Sequence, residues 1–212
     1  MLYDITPPIT ETMKVWPGDV PPSREVLKDA EAGDASTASV LHATVHLGAH
    51  ADAPSHCGPN ALSIDEVDVE RFIGRCQVIR IDAACREDIS PEAVKTPVIA
   101  QRVLFATGTS TDPTEFNDDF AALSPRLIAW LHERGVKLVG IDTPSIDLFN
   151  SKDMPVHRAV LEHDMAVLEG LALDSVPEGV YELIALPLKL VGFDASPVRA
   201  ILRKAEPPPA RR

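Results

Sequence analysis

With 212 residues, a formal net charge of -12 and a composition of 45% hydrophobic and 25% charged residues, the chain lies far from the signature of disorder and suits one compact domain that buries its own core. The surplus of acid leaves no basic patch to follow a phosphate backbone or an anionic bilayer, so neither nucleic acid nor a membrane surface is expected as a partner. No run reaches the roughly 18 apolar residues of a membrane span; the opening "MLYDITPPIT" has no signal-peptide pattern, and the three cysteines, without CxxC spacing, form no disulfide framework, which together read as a cytoplasmic protein.

Along the chain, "VWPGD" at 15–19 is a proline and glycine turn that keeps Trp16 out of any apolar run. That setting favours a pocket wall over a hydrophobic plug. Next, "STASVLHATVHLG" at 36–48 alternates like a strand, with Leu41, Ala43, Val45 and Leu47 on one face and His42, Thr44 and His46 on the other. It runs into "HLGAHADAPSH", where the groups able to grip a metal, His46, His50, Asp52 and His56, all fall on even positions. A straight strand would hold His46 and His56 about 33 Å apart at roughly 3.3 Å per residue, far beyond one coordination sphere. The chain must therefore bend, and Gly48 and Pro54 are the places to do so. Clustered His and Asp point to a metal or catalytic site more than to a solvated strand edge. His42 reads as a structural histidine or one supporting the cluster, and Cys57 as a packed or pocket-lining thiol.

Further on, "SIDE" at Ser63–Glu66 has the form of a capping box leading into a helix over "VDVERFIG" at 67–74. Between 76 and 142 the strand-like runs "CQVIRIDA", "RVLFATG" and "VKLVGID" alternate with the helix-like "SPEAVK" and "SPRLIAWLHERG", an α/β pattern. The helix over 124–134 is the best marked, with Ser124 as N-cap, Pro125 at the first helical position, Leu127, Trp130 and Leu131 as its apolar face, and Gly135 as its stop. Asp142 and Asp147 flank a "TPS" turn and read as turn and cap hydrogen bonders. His132 and His163 read as surface residues. Near the end, "YELIALPLKL" predicts a strand and "DASPVRAILRK" a last helix capped by Ser196 with Pro197 next. One domain is expected over residues 1–205, with a frayed tail over 206–212.

The stretch His46, Gly48, Ala49, His50, Asp52, Pro54, His56 resembles the metal-dependent cyclase superfamily, whose hallmark is His-x-Gly-Thr-His-x-Asp-x-Pro-x-His, and within it bacterial kynurenine formamidase (arylformamidase). The resemblance continues in "VWPGD", "GIDTPSID" at 140–147, "SKDMPVHRAVLEHDMAVLEGLALDSVPEGVYELIALPL" and "GFDASPVRAIL", nearly the whole chain. It implies a compact α/β domain with a mixed, largely β core and flanking helices, a cyclase-like swivelling β/β/α fold, assembled as a homodimer. It also implies two divalent ions per subunit, zinc first and manganese as another fit. His46, His50 and Asp52 would hold one and Asp52, His157 and Glu169 the second, with Asp52 and Glu169 shared. His56 would be the acid/base and Trp16 would line the substrate pocket.

The implied reaction is hydrolysis of N-formyl-L-kynurenine to L-kynurenine and formate by a metal-bridged hydroxide, a step of tryptophan degradation. An anilide nitrogen is a poor leaving group unless protonated, which gives a histidine outside the ligand set its task. Ala49 replaces the hallmark Thr, and Ser55 and Cys57 flank His56 where formamidases carry Leu and Tyr; these departures touch the substrate side and make an isatin or other cyclic amide hydrolase the rival reading. A catalytically silent metal-binding protein is the rival from another class, but a structural zinc site closes with four protein ligands and leaves no task for His56 or Trp16.

Overall fold

The computed structural model describes residues 1–109 and 112–204; the tail expected over 206–212 lies outside the described residues. The strands in chain order are β1 (Leu2–Asp4), β2 (Ser23–Lys28), β3 (Ala38–His42), β4 (His50–Asp52), β5 (Ile73–Arg80), β6 (Asp88–Ile89), β7 (Arg102–Ala106), β8 (Ala122–Leu123), β9 (Leu138–Ile141), β10 (Ala166–Glu169), β11 (Gly179–Ile184), β12 (Ala195–Pro197) and β13 (Ile201–Lys204). Helix α1 is Pro125–His132 and α2 is Pro155–Glu162.

Nine strands form one mixed sheet in the order β1-β13-β11-β5-β7-β9-β10-β4-β12. The central β5, β7, β9 and β10 run parallel, and the strands outside them on both sides are antiparallel. The parallel strands must be covered on both faces, and β7 and β9 are accordingly apolar and buried throughout apart from Arg102 at the start of β7. On one face Ile79, Val103, Phe105, Val139 and Val167 pack against Leu127, Ile128 and Leu131 of α1 and Val156 and Val160 of α2. On the other face Leu104 and Leu168 share a core with Ala51 of β4 and Leu202 of β13, from opposite ends of the sheet, so the sheet curls around that core. This is a single compact α/β domain with a mixed, largely β core and flanking helices, as the sequence suggests.

Helix α1 forms as its pattern predicts: Ser124 Oγ accepts from Leu127 N at 3.1 Å, Pro125 opens the helix, and Gly135 stops it at φ 77. Trp130 is only partly buried and lies under the Arg134 guanidinium at 3.7 Å. Several expectations are corrected. The capping box exists, since Glu66 Oε2 takes the Ser63 N–H at 3.0 Å, but the helix over 67–74 shrinks to a 3-10 turn at Val69–Phe72 because β5 begins at Ile73. "SPEAVK" likewise gives only the 3-10 turn Pro91–Ala93.

The last helix is absent: "DASPVRAILRK" forms β12 and β13 instead. Buried Ser196, Val198, Ala200 and Leu202 alternate with the less buried Pro197, Arg199 and Ile201, the period of a strand, and β4 and β11 take up their backbones. Pro197 is tolerated because β12 is an edge strand. The strand read over 36–48 also ends early, at His42, and pairs with β2 in an exposed hairpin. There His42 meets Glu25 at 2.9 Å in the open, so it does not support the histidine cluster.

Candidate metal centre

The site forms where the parallel strands end, as expected for an open α/β sheet. Glu169 is the last residue of β10 and pairs directly with His50, while Asp52 pairs with Val167. Cross-strand partners and i,i+2 neighbours share a face, so His50, Asp52 and Glu169 project together on the helix-covered side, with Ala51 turned into the opposite core. The chain bends on either side of this three-residue strand. Gly48 takes φ 55, which brings His46 back over β4, and Pro54 opens a 3-10 turn that ends on His56. The centroids of the His46 and His56 rings are 4.4 Å apart, against about 33 Å for a straight strand.

Helix α2 brings His157 from the far side. Asp147 organises its start by accepting from Val156 N at 3.0 Å, from His157 N at 3.1 Å and from His157 Nδ1 at 2.6 Å. The cap role read for Asp147 is thus present, and the same carboxylate fixes the ring, leaving His157 Nε2 3.2 Å from Asp52 Oδ2 and 3.3 Å from Glu169 Oε1. Asp142 serves as a turn acceptor for Thr107 N and Gly108 N.

Around Asp52, His46 Nδ1 lies at 3.1 Å and His50 Nε2 at 3.4 Å from Oδ1, and His50 Nε2 is 3.3 Å from Glu169 Oε2. His50 Nδ1 is held by the carbonyl of Gly48 at 2.8 Å, and Glu169 Oε1 accepts from Ile146 N at 2.7 Å. Despite these neighbours Asp52 Oδ1 is buried without a hydrogen bond. An acceptor stripped of water and left unmated is costly, and here ring nitrogens and carboxylate oxygens face one another across a shared space. Three imidazoles and two buried carboxylates are a nitrogen and oxygen set suited to a divalent ion such as zinc; the residues fit the group. His46, Asp52 and His56, and His50, Asp52 and Glu169, each offer three donor atoms within 4.8 Å of one another.

The electrostatics agree. Burial opposes charge on His46, yet Asp52 beside it, with Asp194 and Glu169, pushes its pKa up to about 9. Burial likewise opposes charge on His157, and Asp147, Asp52 and Glu169 override it. Burial should raise Asp52, yet His157 and His46 hold it well below the usual carboxylate range. Without metal, imidazolium charge takes the place that a cation would fill.

A cavity of about 550 Å³ opens over this cluster, lined by His56 and by Trp16, Met13, Phe116, Leu148 and Leu171. Trp16 meets Phe149 at 5.1 Å and Phe116 at 5.7 Å between ring centroids, so it is both anchored and exposed to the cavity. The structure therefore brings together every site residue read from the sequence: His46, His50, Asp52, His56, His157, Glu169 and Trp16. Cys57 stands half-buried outside the cluster. Two contributors were missed. Asp194, 3.0 Å from His46 Nε2, was hidden inside the stretch read as a helix. Gly170 follows Glu169 at φ 64, where a Cβ would lie 2.2 Å from the Gly48 carbonyl oxygen; the glycine after the acid was its visible signal.

Residues 3–148 match the Cyclase family. The whole fold is similar to that of a protein described as a potential metal-dependent hydrolase with cyclase activity, at 29% identity and a TM-score of 0.83, covering 98% of this chain and 99% of that chain. It is also similar to a predicted metal-dependent hydrolase from Bacillus stearothermophilus, at 29% identity and 0.80, covering 95% and 97%. Isatin hydrolase A from Labrenzia aggregata, bound to benzyl benzoate, shares the fold at 22% identity and 0.81, over 97% and 94%.

Proposed function

The chain belongs to the Cyclase family, and from that premise we propose that it is a metal-dependent amidohydrolase converting N-formyl-L-kynurenine to L-kynurenine and formate. The observation that carries the reading is His56, which is less buried than His50, Asp52, His157 and Glu169 and shares one cavity with the cluster and with Trp16. His46, His50 and Asp52 would hold one divalent ion and Asp52, His157 and Glu169 a second, with zinc the best match to the donors. Such ions supply a Lewis acid for the scissile carbonyl and lower the pKa of water to near neutrality.

The chain's own residues supply the rest. Trp16, packed edge to face with Phe116, offers an apolar wall to the aniline ring, which orients the formamide over the cluster. His56 delivers a proton to the departing nitrogen, without which an anilide leaves as a strong base. Asp147 keeps His157 from turning. The reading includes a homodimer, as the resemblance implies.

Ser55 and Cys57 on either side of His56, and the fold shared with isatin hydrolases, favour a second reading, the opening of isatin or another cyclic amide. Metal analysis with a substrate panel separates them. Release of formate from N-formylkynurenine by the metal-replete protein supports the first; isatin opening without formate release supports the second; neither activity overturns both.

A further inference from the structure

Asp194 precedes β12 in a segment pinned from several sides: its carbonyl accepts from Ala53 N at 2.8 Å, that of Phe193 accepts from Ile64 N at 2.9 Å, and Ala195 pairs with Asp52. Its carboxylate lines the cavity, and one oxygen, Oδ2, lies 3.0 Å from His46 Nε2 and 3.5 Å from His56 Nδ1. Among the described residues these two imidazoles are its ion-pair partners; no lysine or arginine competes for it. The longer contact is of the kind that catalytic hydrogen bonds show before a substrate fills the site.

A carboxylate accepts and does not donate, so these contacts place hydrogen on His46 Nε2 and on His56 Nδ1. With hydrogen held on Nε2, His46 Nδ1, 3.1 Å from Asp52 Oδ1, is the nitrogen left to offer its lone pair to a metal in the ligand cluster. Nε2 is the nitrogen with which His56 exchanges a proton. We propose that Asp194 is the positioning residue of this centre: one carboxylate oxygen sets the tautomer of the ligand His46 and of the proton carrier His56, and ties the two into one unit. The inference rests on the amide-hydrolase reading given above. In the reaction, water gives its oxygen and one hydrogen to the carbonyl carbon and its other proton to His56. His56 passes that proton to the nitrogen as the carbon–nitrogen bond breaks, and holds Nδ1–H against Asp194 throughout.

The test uses Asp194→Ala and Asp194→Asn in the full chain, loaded with zinc. Both are expected to keep the wild-type metal content while kcat on an aryl formamide falls by about 10²- to 10³-fold with KM little changed. A nitrophenyl formate ester, whose leaving group needs no proton, should lose far less. Asn should be no better than Ala, because its NH2 group favours the opposite tautomer, as in the Asp-to-Asn change of a serine protease triad; a residue that only fills space would be rescued by Asn. Nitrogen-15 spectra of histidine-labelled protein should show Nδ1–H on His56 in the wild type and lose it in Asp194→Ala.

Equal losses on amide and ester, full recovery on adding metal, or an unchanged tautomer would each overturn the proposal. If the wild type releases no formate, the formamidase reading fails, while the spectra still decide the role of Asp194.

Discussion

At the scale of single residues, Asp52 is the pivot. Both of its oxygens face imidazoles while one stays without a hydrogen bond, so its ionised form depends on positive charge held beside it. In metal-free protein His46 supplies part of that charge, its pKa lifted from 6.5 to about 9. A histidine raised in the folded state stabilises fully below its unfolded pKa, and the contribution is lost as pH climbs through the folded value. Chelator-treated protein should therefore lose thermal stability between pH 6.5 and 9, as scanning calorimetry would register. Zinc binding should tighten over the same range as protons cease to compete, with proton release measurable by titration in buffers of different ionisation enthalpy. His56→Ala removes the proton carrier and leaves the buried ligands alone: the expected outcome is unchanged zinc by metal analysis, with kcat lower by about 10²- to 10⁴-fold. Four of these residues could be read from one short stretch. His157 and Glu169 are an unremarkable helix-start histidine and an acid in "VLEGL" until a family resemblance singles them out, because the partners that give them meaning lie more than 100 positions away in sequence.

At the scale of elements, the site depends on how closely two backbones approach. Gly170 in its left-handed conformation lets the end of β10 pass against Gly48, and a Cβ there would meet the Gly48 carbonyl oxygen at 2.2 Å. Gly170→Ala should cost at least about 2 kcal/mol from strain and displacement together, measured by urea unfolding, and should lower zinc affinity because Glu169 and His50 move with it. Ser124→Ala, which removes the α1 cap far from the cavity, should cost only about 1 kcal/mol and leave zinc binding unaltered. Helix α1 was legible because all of its signals are local: cap, proline, apolar stripe and glycine stop. The C-terminal strands were misread because Ser196-Pro197 carries a strong local helix signal, and sheet edges built from β4 and β11 outcompete it. The alternation of Ser196, Val198, Ala200 and Leu202 was the opposing signal in the sequence, and it marks residues buried in the structure.

At the scale of the whole molecule, the ligands come from β4, β10, α2 and the bends around them, so a bound metal crosslinks segments that the fold alone holds by packing. Metal that binds only the folded state stabilises it by mass action, and stripping the metal should lower Tm by several degrees or more, reversibly on adding zinc. The hairpin of β2 and β3 projects with Val26, Leu27 and Leu41 exposed. If the homodimer forms as the resemblance implies, sedimentation should give twice the 22.9 kDa of the chain; a single species at the chain mass would remove that expectation. No helix among the described residues is long and apolar enough to cross a membrane.

By itself the sequence determined the α/β class, the best-capped helix and the metal-binding character of the histidine stretch, because composition, capping and ligand spacing are local properties of the chain. Only the tertiary structure decided how the stretch folds back at Gly48 and Pro54, that β12 and β13 replace a helix, and that Asp194 reaches both His46 and His56. Those outcomes are set by pairing and close packing between segments distant in sequence, and such contacts have no signature until the sheet closes.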